Sequence, residues 1–364
     1  MEHDTISVYE ERAREWQARR AATRGFRNDE ARRLGDAVAP GDVRIDLGCG
    51  PGFHLPDLGE PLVALDAAHA MLRLARRQAP GAWPVQADLE ALPFRDRSLG
   101  GAWALASYPH VRRSALPLAL ARLHWALAPG APLQLSMRHG DGEGALGEHG
   151  DFPGRFFAEW RREPLRDVLV GAGFEVAEIV EDRGANAEFV TARARRVRSL
   201  PDTVGPAMRL LVCGLNPSVY AADRGVGFAR PGNRFWPGAL AAGLVTRDRD
   251  PLRALLDHGI GMTDLVKRAT RTAAELTTDE YRAGVARVER LVRWLRPGTV
   301  CFVGLAGWRA AVDPKAVAGE QRGGFAGVPA YVMPSTSGAN AHAGLDDLAE
   351  HLRAAAALAR DTSE

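Results

Sequence analysis

The chain has 364 residues, of which 46% are hydrophobic and 25% charged, and its net charge is +2. That length points to two domains, and the composition excludes wholesale disorder and fibrous repeats. No run approaches ~18 consecutive apolar residues, so no membrane span is expected, and the charged N-terminus MEHDTISVYEERAREWQARR lacks the apolar core of a secretory signal.

Three widely spaced cysteines, Cys49, Cys213 and Cys301, make neither a disulfide framework nor an iron–sulfur ligand set. A reducing cytoplasm suits them, and nucleoid association would follow from DNA binding. Of 47 basic residues only Lys267 and Lys315 are lysines, which reads as codon bias. Residues 1–200 carry 27 basic and 28 acidic groups, and residues 201–364 carry 20 and 17. This weak asymmetry permits nucleic-acid contact by the second half without arguing for it.

In chain order, residues 6–38 read as a helix. Short apolar strands follow at 43–48, 62–66, 83–88, 101–107 and 131–137, with helices at 70–78 and 114–128 between them. Such alternation predicts a parallel α/β sheet. A helix, a glycine stop and a strand close this half at 165–182. Residues 191–209 are arginine-rich, contain Pro201 and Pro206, and read as an exposed linker, with domains assigned to 1–195 and 208–364 and the linker core to 196–207. The pattern then restarts: strands at 210–216, 299–304 and 329–335, and helices at 233–243, 251–258, 278–296, 305–312 and 345–360. The expected fold is two α/β domains, the first a Rossmann-like sheet with flanking helices and the second a three-layer α/β/α domain.

Asp46-Leu47-Gly48-Cys49-Gly50-Pro51-Gly52 lies where a strand meets a helix. Glycines there allow close backbone approach to a ligand and positive φ. Asp66 closes the second strand, where a carboxylate accepts from a ribose diol. Asp88 and Leu89, after the third strand, suit an adenine edge and face. The G-x-G-x-G spacing disfavours a dinucleotide. With VRIDLGCGPG, ALD, QADLEALPF and LAPGAPLQLS in order, residues 40–137 resemble class I S-adenosylmethionine-dependent methyltransferases. The resemblance implies that Gly48, Gly50 and Gly52 line the methionine and ribose side, that Asp66 binds the ribose, and that Asp88 and Leu89 contact adenine. Asp46 would orient the turn or the cofactor's amino group. ASYPH (106–110) stands where an acceptor would lie. His110 reads as an ordinary surface-loop histidine rather than a base, and Tyr9 and Trp16 as packing residues rather than a cover for the cofactor.

The second half opens with MRLLVCGLNPSVYAADRGVGFARPGNRFW (208–236). Together with HGIGMTDLVKRATRTAAELTTDEYRAG (258–284), PGTVCFVG (297–304) and YVMPSTSGANA (331–341), it resembles the mismatch-specific uracil/thymine-DNA glycosylases of the uracil-DNA glycosylase superfamily, over about residues 208–357. The chemistry suits it. Breaking an N-glycosidic bond builds positive charge on the sugar and negative charge on the base, and the base must first be flipped out of the duplex. Asn216 would hold a water and bond the base, with Gly214 and Leu215 beside it. An amide is a poor general base, so positioning must supply most of the rate. Phe228 offers a stacking face. Asn233 matches a pocket position or caps the next helix.

The segment Ser335, Thr336, Ser337, Gly338, Ala339, Asn340 matches the family's DNA-insertion loop. Ala339 and Asn340 stand where some relatives carry an arginine or leucine wedge, so the orphaned partner base is expected to be poorly filled. Lys267, Arg268 and Arg271 are candidate phosphate contacts, or simply a solvated basic face.

Three arrangements fit these motifs: a glycosylase fused to an active methyltransferase, a glycosylase carrying a non-catalytic methyltransferase-fold scaffold, or a methyltransferase whose second half only targets nucleic acid. Asn216 in a complete pocket motif argues against the last. The expected partners are double-stranded DNA with a mismatched or damaged base and S-adenosylmethionine. No metal, no membrane and a monomer are expected.

Overall fold

The computed structural model describes residues 2–21, 25–148, 151–183, 188–338, 340 and 343–359. They form two compact units, Met1–Val170 with Phe174–Val197, and Gly171–Gly173 with Arg198–Glu364. Among the described residues no helix is long and apolar enough to cross a membrane. The three cysteines are free and buried.

In the N-terminal unit, α1 (His3–Glu11), α2 (Ala13–Arg20) and α3 (Asn28–Ala37) replace the single helix expected over 6–38. The α2 sequence AREWQARR buries only Ala13, and Arg27 turns the chain at φ 64° before α3 begins. Next come β1 (Arg44–Leu47), α4 (Leu55–Leu58), β2 (Leu62–Asp66), α5 (His69–Gln78), β3 (Trp83–Gln86), β4 (Gly101–Leu105), α6 (Leu116–Ala126) and β5 (Pro132–His139). All four residues of β1 are buried, the continuous apolar run of a strand covered on both faces. The unit ends with β6 (Glu143–Ala145), β7 (Phe156–Trp160), α7 (Arg162–Gly171), β8 (Phe174–Arg183) and β9 (Glu188–Arg196).

The sheet runs β3-β2-β1-β4-β5 in parallel. β9 then pairs antiparallel with β5, and β8 antiparallel with β9. β7 joins the far end of β5, and β6 pairs with β7. The two-residue alternation in EFVTARARR explains why β9 is a strand. Val190, Ala192, Ala194 and Arg196 are buried, while Arg193 and Arg195 point out. Arg193 pairs with Glu178 at 2.7 Å and Arg195 with Glu175 at 2.9 Å, both on β8. The Arg196 guanidinium donates to the Leu127 carbonyl.

An exposed linker over 191–209 is therefore incorrect: its first six residues are sheet. Residues 198–207 are not a free tether either. Leu200, Pro201, Asp202, Val204 and Gly205 are buried, and Thr203 exchanges backbone hydrogen bonds of 2.9 and 2.8 Å with Met262. The many arginines masked an apolar pattern of period two.

The C-terminal unit contains β10 (Leu210–Gly214), α8 (Val219–Arg224), α9 (Phe235–Ala241), α10 (Pro251–His258), β11 (Ile260–Asp264), α11 (Thr278–Leu295), β12 (Val300–Val303), α12 (Leu305–Ala311), β13 (Gly319–Glu320), β14 (Ala330–Met333) and α13 (Leu345–Ala357). The sheet order is β11-β10-β12-β14-β13, parallel except for β13. Phe235 and Trp236 of α9 and Leu348 and Leu352 of α13 share one core with Leu210 and Val212. α11 starts at a capping box of Thr277 and Glu280, which satisfies amides the first turn would otherwise leave open. Gly284 of α11 and Gly307 of α12 let those helices close on Leu265, since a Cβ at either would strike it.

Candidate active sites

In the N-terminal unit the chain turns sharply after β1. The amides of Gly48 and Cys49 each donate to the Leu65 carbonyl at 2.8 Å, folding the turn over the end of β2. Gly48, Gly50 and Gly52 have φ of 72°, 53° and 86°, the region that penalises a side chain. A Cβ on Gly48 would strike Ser107, and one on Gly52 would meet Ala75 and Leu55 at 2.8 Å. Gly50 differs. Its nearest neighbour would be the Trp16 ring at 3.9 Å, so space lies over this glycine.

Asp66 ties the turn, accepting from the Gly50 amide at 2.8 Å and the Ala68 amide at 2.9 Å. Burial pushes its carboxyl up to about 6. Asp46, buried in β1, is pushed up to about 8 by burial and by the neighbouring Asp66. β3 stops at Gln86, so Asp88 stands in the following loop, where it accepts from the Glu90 amide at 2.9 Å. Leu89 is buried.

Among the described residues, three buried polar atoms have no hydrogen-bond partner on residues touching or adjoining this cradle: Trp16 Nε1 beside Gly50, Ser107 Oγ beside Gly48, and the hydroxyl of Tyr108, next in the chain. Burial, and then Asp88, raises the Tyr108 phenol above its ordinary value. Unpaired polar groups around an open glycine fit a polar ligand.

His110 is not in a surface loop, as the sequence suggested. It is buried on a short 3₁₀ turn, and burial pushes it down to about 4. Its Nδ1–H donates to the Phe156 carbonyl at 2.7 Å, which leaves Nε2 as an acceptor for the Tyr9 hydroxyl at 2.8 Å. Arg155 donates to the same hydroxyl at 2.9 Å. The imidazole lone pair is thus occupied, locking α1 to the sheet edge. Trp16 and Tyr9 pack on Ala68, Met71 and Leu74, and Trp16 stacks on Phe53 at 6.3 Å. They pack, as expected, and Trp16 also bounds the space above Gly50.

In the C-terminal unit, parallel pairing sets Gly214 opposite Asp264 at the C-terminal ends of β10 and β11, the end where open α/β sheets receive ligands. Backbone bonds then run from Leu265 to Gly214 and from Val266 to Leu215, at 2.8 and 2.9 Å. Asn216 follows on this loop. Its Nδ2 donates to the Arg268 carbonyl at 3.0 Å and to Thr270 Oγ1 at 2.7 Å. Oδ1 has no protein partner among the described residues. Leu215 lies against Gly307 of α12.

Phe228 has φ of 57°. One face stacks on Phe235 at 4.3 Å, and Phe228 also lines a narrow recess with Met262, Thr263, Asp264 and Gly227. A Cβ on Gly214 would run into the Asp264 carboxylate and the Phe228 ring, so only glycine fits.

The remaining expected residues divide. Asn233 Oδ1 accepts from the Phe235 amide at 2.9 Å, opening α9. This bond is an Asx turn just before Arg234, the N-cap residue of α9. Lys267 is not a phosphate contact: it is buried and paired with Asp202 at 2.7 Å. Arg287 holds the other Asp202 oxygen at 2.8 Å. Burial alone would raise Asp202, but these two cations hold it below the usual carboxylate range. Arg268 is exposed but engaged by Glu280 at 2.6 Å, anchoring the start of α11. Arg271 contributes its amide to Glu275 at 3.0 Å.

The loop after β14 is a compact, self-bonded turn. Asn340 Nδ2 donates to the Ser335 carbonyl at 2.8 Å, and its amide to Ser337 at 2.9 Å. Thr336 is buried and accepts from the Arg234 amide at 2.9 Å. Gly338 lies so close to Gly232 that a Cβ would meet its carbonyl at 2.8 Å. Ala339 lies outside the described residues. The Arg234 guanidinium spans Asn340 and Ala343 carbonyls at 2.5 Å each. Sequence reasoning passed over Arg234, Thr270, Asp202 and Asp264. Only the Arg in PGNRFW carried a local signal, next to the segment already singled out.

Two segments of the chain match family models. Residues 201–359 match the family model of the Uracil DNA glycosylase superfamily, and residues 45–130 match that of the Methyltransferase domain. Similar solved structures include a SAM-dependent methyltransferase from Methanosarcina mazei, 16% identical over 45% of this chain and 96% of that one, with a TM-score of 0.40. Another is the 1,6-didemethyltoxoflavin-N1-methyltransferase of Burkholderia thailandensis, 20% identical over 53% and 88%, with a TM-score of 0.43. A third, from Mesorhizobium loti, is 20% identical over 46% and 96%, at 0.38. The chain thus carries one segment that matches a methyltransferase-domain model and a second that matches a uracil-DNA-glycosylase-superfamily model.

Proposed function

We propose that the C-terminal unit removes uracil or thymine from mismatched duplex DNA by hydrolysing the N-glycosidic bond, and that the N-terminal unit binds S-adenosylmethionine. One observation carries the first reading. The Asn216 amide nitrogen is held by Arg268 and Thr270 while Oδ1 is left without a protein partner among the described residues, two positions past Gly214, which lies against the Phe228 ring.

A flipped pyrimidine stacks on the recess side of Phe228, worth ~1–3 kcal/mol by analogy with other base–aromatic stacks. Oδ1 then accepts from a water and aims it at the sugar carbon. Because an amide barely takes a proton, the rate comes from alignment and from a carbonyl dipole facing the cationic sugar. The Ser335–Ser337 turn, pinned by Arg234, offers backbone groups and hydroxyls to phosphates. The test is incubation of the full chain with labelled duplexes holding G·U, G·T and A·U pairs, followed by alkali. Strand scission at the G·U site is the expected result, and none at any pair refutes the reading.

For the cofactor, the unpaired Trp16 Nε1, Ser107 Oγ and Tyr108 hydroxyl around open Gly50 are the fit. Gly50 admits the ligand, Asp66 accepts from the ribose hydroxyls with its remaining lone pairs, and Leu89 and Asp88 border the adenine. When bound, the cofactor supplies a sulfonium methyl for in-line transfer. Calorimetry of the full chain with S-adenosylhomocysteine tests this, and Gly50→Val, which fills the open space, is expected to abolish the heat.

A further inference from the structure

Helix α5 of the N-terminal unit divides its residues by face. Ala70, Met71, Leu72, Leu74 and Ala75 are buried, while Arg73, Arg76 and Arg77 are exposed. None of these three guanidiniums meets a carboxylate or another hydrogen-bond partner among the described residues. The helix sequence HAMLRLARRQ contains no acid. Glu10 of α1 meets α5 only at its first turn, where its carboxylate accepts from the Ala70 amide at 2.9 Å. Other surface helices set an acid beside an arginine. Arg32 pairs with Asp29 on α3 at 2.7 Å, Arg253 with Asp257 on α10 at 3.4 Å, and Arg293 with Glu289 on α11 at 2.6 Å.

Helical spacing makes the α5 cluster unfavourable by itself. Arg73 lies three and four residues before Arg76 and Arg77, positions about 5–6 Å apart at Cβ, where like charges repel. The helix dipole favours cations in the last turn, which accounts for Arg76 and Arg77 but not for Arg73 in mid-helix. A polyanion laid along this face would relieve the repulsion of all three at once.

We propose that the outer face of α5 binds the phosphate backbone of duplex DNA, giving the N-terminal unit a DNA contact of its own without sequence preference. The choice of duplex DNA among polyanions rests on the glycosylase reading of the C-terminal unit. Each guanidinium seated on a phosphate releases condensed counterions, so the contact is strongest at low salt and fades as salt rises. Phosphate contacts of this kind hold a protein on DNA but carry no sequence information.

The test uses the full chain and an undamaged duplex, with binding followed by fluorescence anisotropy across a salt series. Three contacts contribute about 2–3 to the slope of log affinity against log salt. The triple variant Arg73→Gln, Arg76→Gln, Arg77→Gln is expected to lose that much slope and to bind at least about tenfold more weakly at low salt. The matching triple lysine variant keeps the charges and is expected to keep the slope. Single-turnover excision at saturating protein should be unchanged in both. An unchanged slope in the glutamine variant overturns the proposal, as does an equal loss in the lysine variant. Loss of binding to phosphatidylserine vesicles with the duplex slope intact also overturns it, since the face would then serve a membrane surface. Excision of uracil by the parent is scored separately. A parent that excises nothing but whose slope still falls in the glutamine variant refutes the glycosylase reading and leaves the α5 contact standing.

Discussion

At the residue scale, Asn216 is prepared by its neighbours. Removing the carboxamide in Asn216→Ala should lower single-turnover excision of uracil by ~10²–10³-fold, as loss of one preorganised dipole does, while abasic-duplex binding stays near parental. Thr270 positions that carboxamide through the 2.7 Å bond from Nδ2. Thr270→Val should cut the rate roughly tenfold without changing the Kd for DNA, and Thr270→Ser should restore it. An affinity loss with no rate loss would contradict this. His110 provides a pH-dependent case. It is buried neutral, its value lowered from 6.5 to about 4. Protons therefore bind the unfolded state first as pH falls, and the stabilisation is lost between about 6.5 and 4. In melts of the full chain, the stability advantage of the parent over His110→Gln should narrow across that window.

At the element scale, the linker reading failed because a strand rich in arginine looks polar when composition alone is counted. β9 keeps its alternation, and cross-strand pairs to Glu178 and Glu175 occupy Arg193 and Arg195. Neutralising both should leave the salt dependence of DNA binding unchanged, since no phosphate contact is removed; a slope reduced by about two would instead make them phosphate ligands. The loop after β14 was legible as a motif, but its anchor was not. Arg234 reaches it across the sequence through the Asn340 and Ala343 carbonyls. Arg234→Ala should speed limited proteolysis within 334–343 and weaken duplex binding severalfold, and identical digestion kinetics would show the turn holds itself.

At the scale of the whole molecule, the two units divide at Val197 and Arg198 rather than within a tether. A fragment of residues 198–364 is expected to fold and excise uracil. One starting at residue 203 is not. It lacks Asp202, which neutralises buried Lys267 and Arg287, and stranding buried charges costs ~3–5 kcal/mol. Circular-dichroism melts of the two fragments decide this, and equal stability would mean that Asp202 is dispensable.

The sequence by itself determined the two α/β units and the glycine turn of Gly48, Gly50 and Gly52, and it singled out Asn216 and Phe228 as candidates. These signals are local: period, turn chemistry and residues a few positions apart. Tertiary structure alone decided what Lys267, His110 and Asp264 do. Each depends on burial and on partners far along the chain, brought together by strand register and helix packing. Lys267 had its charge claimed by Asp202 and His110 its lone pair by Tyr9, while strand register set Asp264 against Gly214 at the recess.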